Sequence, residues 1–438
     1  MMHFQVSDIL DGVSQFSFRT GKLRSDCLNI IGPACKSAQA RGIGGVIFDL
    51  SQVGAIPNGA LAALIEAVGR FRQLEFAFVG ISGGALRRLA RTGLDRHIHH
   101  FATCRAALEH PGFRRFALCK THAILSLCPQ PDELSALFGT KSLAEFDILG
   151  HPIIAHQLQN LAAFGVRTAF LDVPRYLVPT IKPLLAKHHN GVQPFICTQP
   201  DSPFSQSVQG HTGTNLSPHL RDNLGERNRY LTIAADALWR GRLDRILFAH
   251  LASQRTTTRI TSKCGTALAK FCGGEELLHP VAEQSVKPID IAISTPTGWL
   301  KRKNDILPLL RLASKRAICE LPPNGEEIEQ NLWRAPGADI SPRARIQGFC
   351  YASQFSSIEA DAHLNDFNVL FKHARVERFS RSENCLVLPE TTLKTGTSHR
   401  NLVVGTPVAT EAKKTHSPKS DRATTIPLAS AHALGSAA

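Results

Sequence analysis

The chain has 438 residues, of which 43% are hydrophobic and 20% charged, which is typical of a soluble globular protein with about two to four domains. No apolar run approaches the length of a membrane-spanning helix and no leader-like segment opens the chain, so we expect a cytoplasmic protein without a transmembrane segment. The eleven cysteines lie singly, which disfavours a disulfide framework or a zinc site. The net charge of +14 is spread along the chain, with only three Trp and three Tyr to stack on bases, so we expect no specific nucleic-acid partner.

The N-terminal quarter of the chain alternates strands with helices. A continuous apolar run at 45–50 predicts a buried strand that carries Asp49 to its carboxyl end. An apolar stripe over 61–71 predicts a helix, and a strand at 76–81 and a helix at 85–92 follow. This order predicts a sheet with helices packed against it.

Residues 1–112, the first predicted domain, resemble a STAS domain, the fold of anti-sigma factor antagonists and of transporter tails. The resemblance rests on the strand that ends in Asp49, on residues 61–64, and on residues 89–94, which are similar to the T-G-L helix end of that family. It implies a module that docks on a protein partner. A domain that serves only to dimerise is the alternative.

The loop after the central strand departs from the family pattern. In the family it reads Asp-Ser-Ser-Gly, and its first serine is the hydroxyl that a partner kinase phosphorylates. Here residues 57–60 read Pro-Asn-Gly-Ala, so Asn58 occupies the phosphosite position. Asparagine has no hydroxyl and cannot accept a phosphoryl group, so we predict that the charge switch is absent there. Ser51 and Ser82 lie nearby but not in register.

Three histidines, His97, His99 and His100, resemble a metal-binding tract. They follow a predicted helix end and have no acidic or cysteine neighbours at ligand spacing. We therefore predict a solvated loop here rather than a metal site.

Residues 118–335, the second predicted domain, again alternate strands with helices. Short aliphatic strands are predicted at 123–127 and 169–172, and a helix with one apolar face is predicted over 153–165. The alternation predicts an α/β domain with a doubly wound, Rossmann-like sheet, whose ligand loops lie at the strand ends.

This second domain resembles the sugar-1-phosphate nucleotidyltransferases, in which such a domain is commonly followed by a left-handed β-helix. The resemblance implies that Lys141 is the catalytic lysine, Asp236 the metal-binding aspartate, and Gly213 and Thr214 the pair that contacts the base. His250 lies where the family often has a histidine. A solvated lysine at 141 and a helix-capping carboxylate at 236 are the plain alternatives.

The phosphate-binding loop of that family is missing. The family places L-A-G-G-x-G-T-R after its first strand, whereas residues 126–139 contain Pro129, Pro131, Asp132 and Glu133. Proline fixes φ and donates no amide hydrogen, and a like charge at about 4 Å costs on the order of 4 kcal/mol at an effective dielectric of about 20. We therefore predict that this loop binds nucleotides poorly.

Every sixth residue from Ile340 to Leu388 is apolar, with two weak positions, and the residue four further on is usually small. A helix has no such period, but three short strands joined by tight turns do, with the aliphatic residue on the axis of a triangular coil. The pattern resembles the hexapeptide repeat of left-handed parallel β-helices and predicts that fold over 336–406; an ordinary β-meander is the alternative. Residues 407–438 lack apolar periodicity and are predicted to be disordered.

The preferred functional hypothesis is a degenerate nucleotidyltransferase-like scaffold, a pseudoenzyme, with a STAS docking module. The resemblance alone implies a regulatory or assembly role in bacterial surface-polysaccharide biosynthesis. The alternative is an active NDP-sugar pyrophosphorylase that uses Lys141, Asp236 and Mg to transfer a nucleotidyl group from an NTP to a sugar 1-phosphate. A β-helix acyltransferase is a third, for which only His363 and His373 are available. Expected partners are a protein on the STAS-like domain, a sugar nucleotide, and further copies of the chain in a homo-oligomer.

Overall fold

The computed structural model describes the chain in stretches separated by gaps. Three parts follow one another: an N-terminal sheet, a central sheet and a stack of short parallel strands. Among the described residues, no helix is long and apolar enough to cross a membrane. The described residues are 3–91, 98–127, 132–199, 224–225, 228–234, 237–239, 243–253, 257–261, 267–273, 289–292, 297–299, 303–318, 321–405 and 425–427.

The N-terminal sheet has five strands in the order in which they occur along the chain. They are β1 (His3–Leu10), β2 (Val13–Lys22), β3 (Gly45–Ala55), β4 (Glu75–Val79) and β5 (His99–Phe101). β1 and β2 form an antiparallel hairpin, and the other neighbours are parallel. The helices that follow β2, β3 and β4 are α1 (Leu28–Ala40), α2 (Asn58–Arg70) and α3 (Gly83–Arg91).

One face of this sheet packs against α1 and α2 through aromatic side chains. Successive strand residues point to opposite faces, so Phe16 and Phe18 of β2 share a face with Phe48 of β3. The Phe48 ring lies 5.8 Å from Phe16 and 5.3 Å from Phe78, centroid to centroid. These rings and the apolar sides of the helices form one buried cluster, which holds the N-terminal part together.

The opposite face of the same sheet is shared with the central part. Two short helices, α4 (Cys104–Glu109) and α5 (Pro111–Arg114), connect the two parts. Val13 and Ile47 from the N-terminal sheet lie in one buried cluster with Leu125 and Ile246 from the central part. The N-terminal sheet is therefore not a tethered module, because its core continues into the next sheet.

A buried ion pair reinforces this junction. Asp11, in the turn between β1 and β2, is only 7% exposed. Its carboxylate pairs with Arg229 and accepts a hydrogen bond from Thr121 Oγ1 at 2.7 Å. A carboxylate that leaves water needs such partners, so Asp11 ties the hairpin to the central strands.

The central sheet has seven strands. They are β6 (Thr121–Ser126), β9 (Thr168–Pro174), β10 (Gln193–Gln199), β11 (Arg229–Ala234), β13 (Thr257–Thr261), β14 (Ala267–Gly273) and β15 (Ile289–Ala292). Their order is β10-β9-β6-β11-β14-β13-β15, with the first four parallel and β14 antiparallel to both of its neighbours. The sheet is thus mixed, with a parallel half next to the N-terminal part.

Short ladders and helices complete the central part. The two ladders pair β7 (Asp147–Ile148) with β8 (His151–Pro152), and β12 (Ala237–Trp239) with β16 (Thr297–Trp299). The helices are α6 (Asp132–Phe138), α7 (Ile153–Ala163), α8 (Val178–His188), α9 (Leu243–Ser253) and α10 (Ile306–Ser314).

The C-terminal part is a stack of short strands, most of them parallel. They are β17 (Glu326–Glu329), β18 (Leu332–Arg334), β19 (Asp339–Ile340), β20 (Arg345–Ala352), β21 (Ser357–Ile358), β22 (His363–Leu370), β23 (Arg375–Val376), β24 (Arg381–Glu383), β25 (Leu386–Val387), β26 (Thr392–Leu393), β27 (Ser398–Arg400), β28 (Leu402–Val404) and β29 (Thr425–Pro427). Ile340 pairs with Ile358 and Ile358 with Val376, so these strands pair at a spacing of 18 residues. Ile358, Leu364 and Val376 are buried in the interior, as the six-residue period predicts.

The period slips by one residue in the last turn of the stack. Leu370 pairs with Val387 and Val376 with Leu393, a spacing of 17 residues. Val387 therefore lies in the interior, whereas Leu388 packs in the cluster that faces the central part. The prediction that Leu388 is an interior residue was wrong, because the chain takes one residue fewer to turn the corner.

The stack packs its flank against the central part. Phe371 lies edge-on to Phe138 of α6, with ring centroids 5.0 Å apart. Arg311 of α10 donates hydrogen bonds to Asp366 Oδ2 at 3.0 Å and to Asn384 Oδ1 at 2.8 Å. The apolar side chains between the stack and the central part therefore form one joint buried cluster.

Two further predictions need correction. His99 and His100, predicted in a loop, lie in β5, whose backbone pairs with β4; His97 is outside the described residues. Within the segment predicted to be disordered, residues 425–427 form β29, which pairs antiparallel with β28 because that edge strand has a free side. The other residues of 407–438 are outside the described ranges.

Candidate functional site

The first candidate site is the exposed beginning of α2. The helix starts at Asn58, directly after Pro57, whose extended backbone precedes the first turn. The carbonyl of Pro57 accepts the first helical bond, from Leu61 N at 3.0 Å. Asn58 is exposed, so the side chain at this position faces solvent and any partner that approaches it.

A basic side chain of α3 contacts the chain just before Asn58. Arg88 of α3 donates a hydrogen bond to the carbonyl of Ile56, which fixes the chain just before α2. Arg87 and Arg91 of the same helix are exposed. The beginning of α2 and the helix α3 therefore both carry solvent-facing side chains, two of which, on α3, are cationic.

Asp49, predicted at a strand end, lies inside β3 on the sheet face opposite α1 and α2. Its Oδ2 accepts from Gln15 Nε2 at 2.8 Å, and its Oδ1 accepts from Ser51 N at 3.0 Å and Ser51 Oγ at 2.6 Å. The carboxylate is therefore held in one orientation by three donors.

Of the residues carried over from the nucleotidyltransferases, Lys141 and His250 lie among the described residues. Lys141 is exposed. Gly213, Thr214 and Asp236 lie outside the described residues. His250 is buried in α9, and its Nδ1 lies 2.8 Å from Thr258 Oγ1.

The segment that replaces the phosphate loop is partly described. Leu127 follows β6, and the chain is described again from Asp132, where α6 begins. Pro129 and Pro131 lie in the gap. Gly139 follows α6 with a φ of +67°, in the left-handed region that glycine favours at helix ends. From residue 132, then, the segment is a short helix and its end.

Three histidines that the sequence did not single out meet next to the β7–β8 ladder. The ring of His151 lies 5.7 Å from that of His156 and 6.5 Å from that of His188. Burial lowers the pKa of all three imidazoles, that of His156 to about 4. In the part of the chain that the structure describes, no group of three or more His, Cys, Asp or Glu side chains could hold a metal ion. The three rings thus pack against one another at this junction.

The histidines of β5 also contact one another and an acid. His99 Nε2 lies 3.1 Å from Glu75 Oε1, and its ring centroid is 4.4 Å from that of His110. Burial lowers the pKa of His110, and the nearby His99 lowers it further. These contacts join β5 to β4 and α5. The sequence did not predict this structural role for the histidines.

Comparison with known proteins identifies the N-terminal part. Residues 19–107 match the family model of the STAS domain. Among solved structures, the crystal structure of an anti-sigma factor antagonist from Mycobacterium paratuberculosis is similar at 24% identity and a TM-score of 0.22, over 25% of this chain and 92% of that chain. No curated protein matches the chain. By the match to the family model, residues 19–107 form a STAS domain.

Proposed function

We propose that this protein is a regulatory scaffold that binds a protein partner at the beginning of α2, without phosphoryl control at that position. The observation that carries the proposal is Asn58, exposed at the first residue of α2. An amide cannot accept a phosphoryl group, so kinase action cannot add charge at this point of the surface. Partner binding is then set by the concentrations of the two proteins.

The shared core gives docking a structural consequence. Because Val13 and Ile47 are buried together with Leu125 of β6, a partner bound to the STAS domain is held in a fixed position relative to the central sheet. The stack is fixed to the central part through Phe371 and Arg311. A scaffold needs this rigidity, because it places one bound protein relative to another surface.

We propose further that the central part is a nucleotidyltransferase-like domain without catalysis and that the stack is a left-handed β-helix, in an assembly for bacterial surface-polysaccharide biosynthesis. The four parallel strands β10, β9, β6 and β11 and the 18-residue spacing of the stack support these proposals. The helix α6 begins where the family would have its phosphate loop, which also supports the loss of nucleotide binding.

Docking is tested by capture from cell extract with two matched variants of the full chain. Asn58→Asp places a negative charge at the beginning of α2, and Asn29→Asp does the same in the first turn of α1, where Asn29 is also exposed. Asn58→Asp favours α2 by about 0.3–1 kcal/mol because it lies at the helix N-terminus, and Asn29 is an exposed side chain, so both variants should fold. We expect Asn58→Asp to lose the partner and Asn29→Asp to keep it. Equal capture by both variants would argue against the α2 surface. Deleting the domain is unsuitable, because it would open the shared core.

The enzymatic alternative has its own test. NTPs with Mg are titrated into the full chain, and pyrophosphate release is then measured with hexose 1-phosphates. The scaffold proposal predicts neither binding nor turnover. Turnover that Asp236→Ala abolishes would replace the scaffold with an active pyrophosphorylase.

A further inference from the structure

A polar cleft of about 440 Å³ opens on the STAS sheet, on the face opposite α1 and α2. This volume lies within the range of small-molecule sites, about 300–1,000 Å³. The cleft is separate from the docking surface, because α2 packs on the other face of the sheet. Its polar lining consists of Gln15, Ser17, Arg19, Asp49, Ser51 and Gln52.

A β-bulge creates the cleft. Ser17 of β2 pairs with Asp49 of β3, but Arg19 pairs with Gln52, so β3 carries one extra residue between the two pairs. The bulge needs Gly80, which has a φ of +67° and whose added Cβ would lie 2.6 Å from Ser51 Cα. Bulges re-aim side chains and are frequent next to functional sites. Here the bulge coincides with the polar lining.

The acceptor side of the cleft is pre-organised. Ser51 donates its hydroxyl hydrogen to Asp49 Oδ1, so the lone pairs of Ser51 Oγ remain available. Among the described residues, Asp49 Oδ2 accepts one hydrogen bond, from Gln15, which leaves it room for another donor. The thiol of Cys104 lies 3.9 Å from Gln15 Oε1, which orients that amide, and burial raises the pKa of Cys104 to about 11, so the thiol stays protonated.

The donor side of the cleft is the side chain of Arg19, which is a cation. Arg19 is exposed, and within the described ranges it forms no hydrogen bond or ion pair through its side chain. Arg19 lies two residues beyond Ser17 on β2. Because Ser17 pairs with Asp49, Arg19 is about 7 Å along the strand from Asp49. A guanidinium binds phosphate or carboxylate groups through two parallel hydrogen bonds.

We propose that this cleft binds a small hydroxylated molecule that carries one anionic group. The ligand's hydroxyls donate to Asp49 and Ser51, and its anion pairs with Arg19. Between the acceptor side at Asp49 and the donor side at Arg19, Ser17 and Gln52 supply polar groups that can donate or accept hydrogen bonds. The site is independent of partner docking at Asn58, so each can fail without the other.

The test uses the full chain and isothermal titration with four probes: glucose 6-phosphate, glucuronate, glucose and inorganic phosphate. Glucose 6-phosphate and glucuronate, the two sugar anions, should both bind. The one with the higher affinity shows whether the cleft prefers a phosphate or a carboxylate group. Glucose and inorganic phosphate should each bind at least about tenfold more weakly, because each lacks one half of the recognised groups.

Two variants localise the binding, and one serves as a control. Asp49→Asn and Arg19→Gln should each weaken the better sugar anion about tenfold or more. Arg19→Gln should keep the wild-type melting temperature, because Arg19 has no side-chain partner among the described residues to lose. Asp49→Asn keeps an oxygen that accepts from Ser51 but loses the hydrogen bond from Gln15, so it should fold with a modestly lower melting temperature. Arg70→Gln, at the exposed end of α2, should bind like wild type. Failure of both sugar anions to bind wild type, or equal binding by all variants, would overturn the proposal.

Discussion

Gly150 lies where the central part meets the stack, and replacing it by alanine should be costly. It occupies the turn between β7 and β8 with a φ of +88°. An added Cβ would lie 2.1 Å from Tyr351 Oη and 2.4 Å from Asn324 Cβ. The left-handed backbone costs a non-glycine residue about 1–2 kcal/mol, and overpacking a dense interior adds about 1–3 kcal/mol. Gly150→Ala should therefore lower the free energy of unfolding by about 2–5 kcal/mol.

The matched control is Gly191→Ala. Gly191 also has a positive φ, +81°, but an added Cβ would meet nothing within 4 Å. Its cost should be the backbone term alone, about 1–2 kcal/mol. Stability is measured by urea titration with tryptophan fluorescence, because Trp333 packs partly buried against the cluster that contains Tyr351.

A double-mutant cycle identifies the contact responsible. Tyr351→Phe removes the oxygen nearest to the added methyl group, so Gly150→Ala should cost less in the Tyr351→Phe background than in wild type. The reasoning would be refuted if Gly150→Ala and Gly191→Ala cost the same, or if Tyr351→Phe gave no relief. Either result would mean that the turn and the stack are not in close contact.

Two further predictions concern the buried ionisable groups. Burial holds the pKa of His156 near 4, whereas an unfolded histidine has a pKa of about 6.5. Protonation therefore favours the unfolded chain, and the free energy of unfolding falls as the pH drops from about 6.5 to 4. Between pH 7 and 5 this loss is about 2 kcal/mol. Burial raises the pKa of Asp147 to about 6, so stability is gained as the pH falls through that value, by about 1 kcal/mol over the same interval. Urea titrations at pH 7 and pH 5 measure how much the free energy of unfolding falls between the two. This fall should be smaller for His156→Asn than for wild type and larger for Asp147→Asn. The same fall in all three proteins would contradict both predicted pKa effects. Asp11→Ala should lower the free energy of unfolding by about 3 kcal/mol, because it leaves Arg229 without its carboxylate partner at the junction. The control, Asp26→Ala, breaks an exposed ion pair and should lower it by less than about 1 kcal/mol. Similar losses in both variants would show that the junction pair contributes little to stability.

The six-residue period predicted the interior of the stack but not its last turn. Leu386, Val387 and Leu388 are all apolar, so the sequence cannot tell which of them points inward. The reason lies in the structure: Leu386 and Leu388 are buried against the central part, while Val387 fills the interior. Burial on both sides of a strand removes the alternation from which its register is read.

The N-terminal sheet was predicted in part. The strands β3 and β4 and the helices α2 and α3 follow from apolar runs and stripes. β1 and β2 were not predicted, although Phe16 and Phe18 alternate with polar residues on β2, which is the pattern of a half-buried strand. β5 has little apolar content, since His99 and His100 are exposed, and tertiary pairing with β4 decides its structure.

The sites differ in how far the sequence could reveal them. Asn58 was found because a motif fixes its position relative to the strand and helix around it. The cleft was not found, since it depends on a bulge that displaces Ser51 and on a glycine, Gly80, about thirty residues away. The cluster of His151 and His188 depends on the packing of α8 beside the β7–β8 ladder, which no local pattern encodes.

The claim that partner binding at α2 is free of phosphoryl control is tested most directly by mapping phosphorylation over residues 19–107. The full chain is incubated with cell extract and ATP, and its peptides are analysed by mass spectrometry, with Asn58→Ser as the variant that restores an acceptor. The account predicts no phosphoryl group in this range of the wild-type chain and one at position 58 of the variant. A phosphoryl group on Ser51 or Ser82 of the wild-type chain would contradict it, because the domain would then carry a switch of its own.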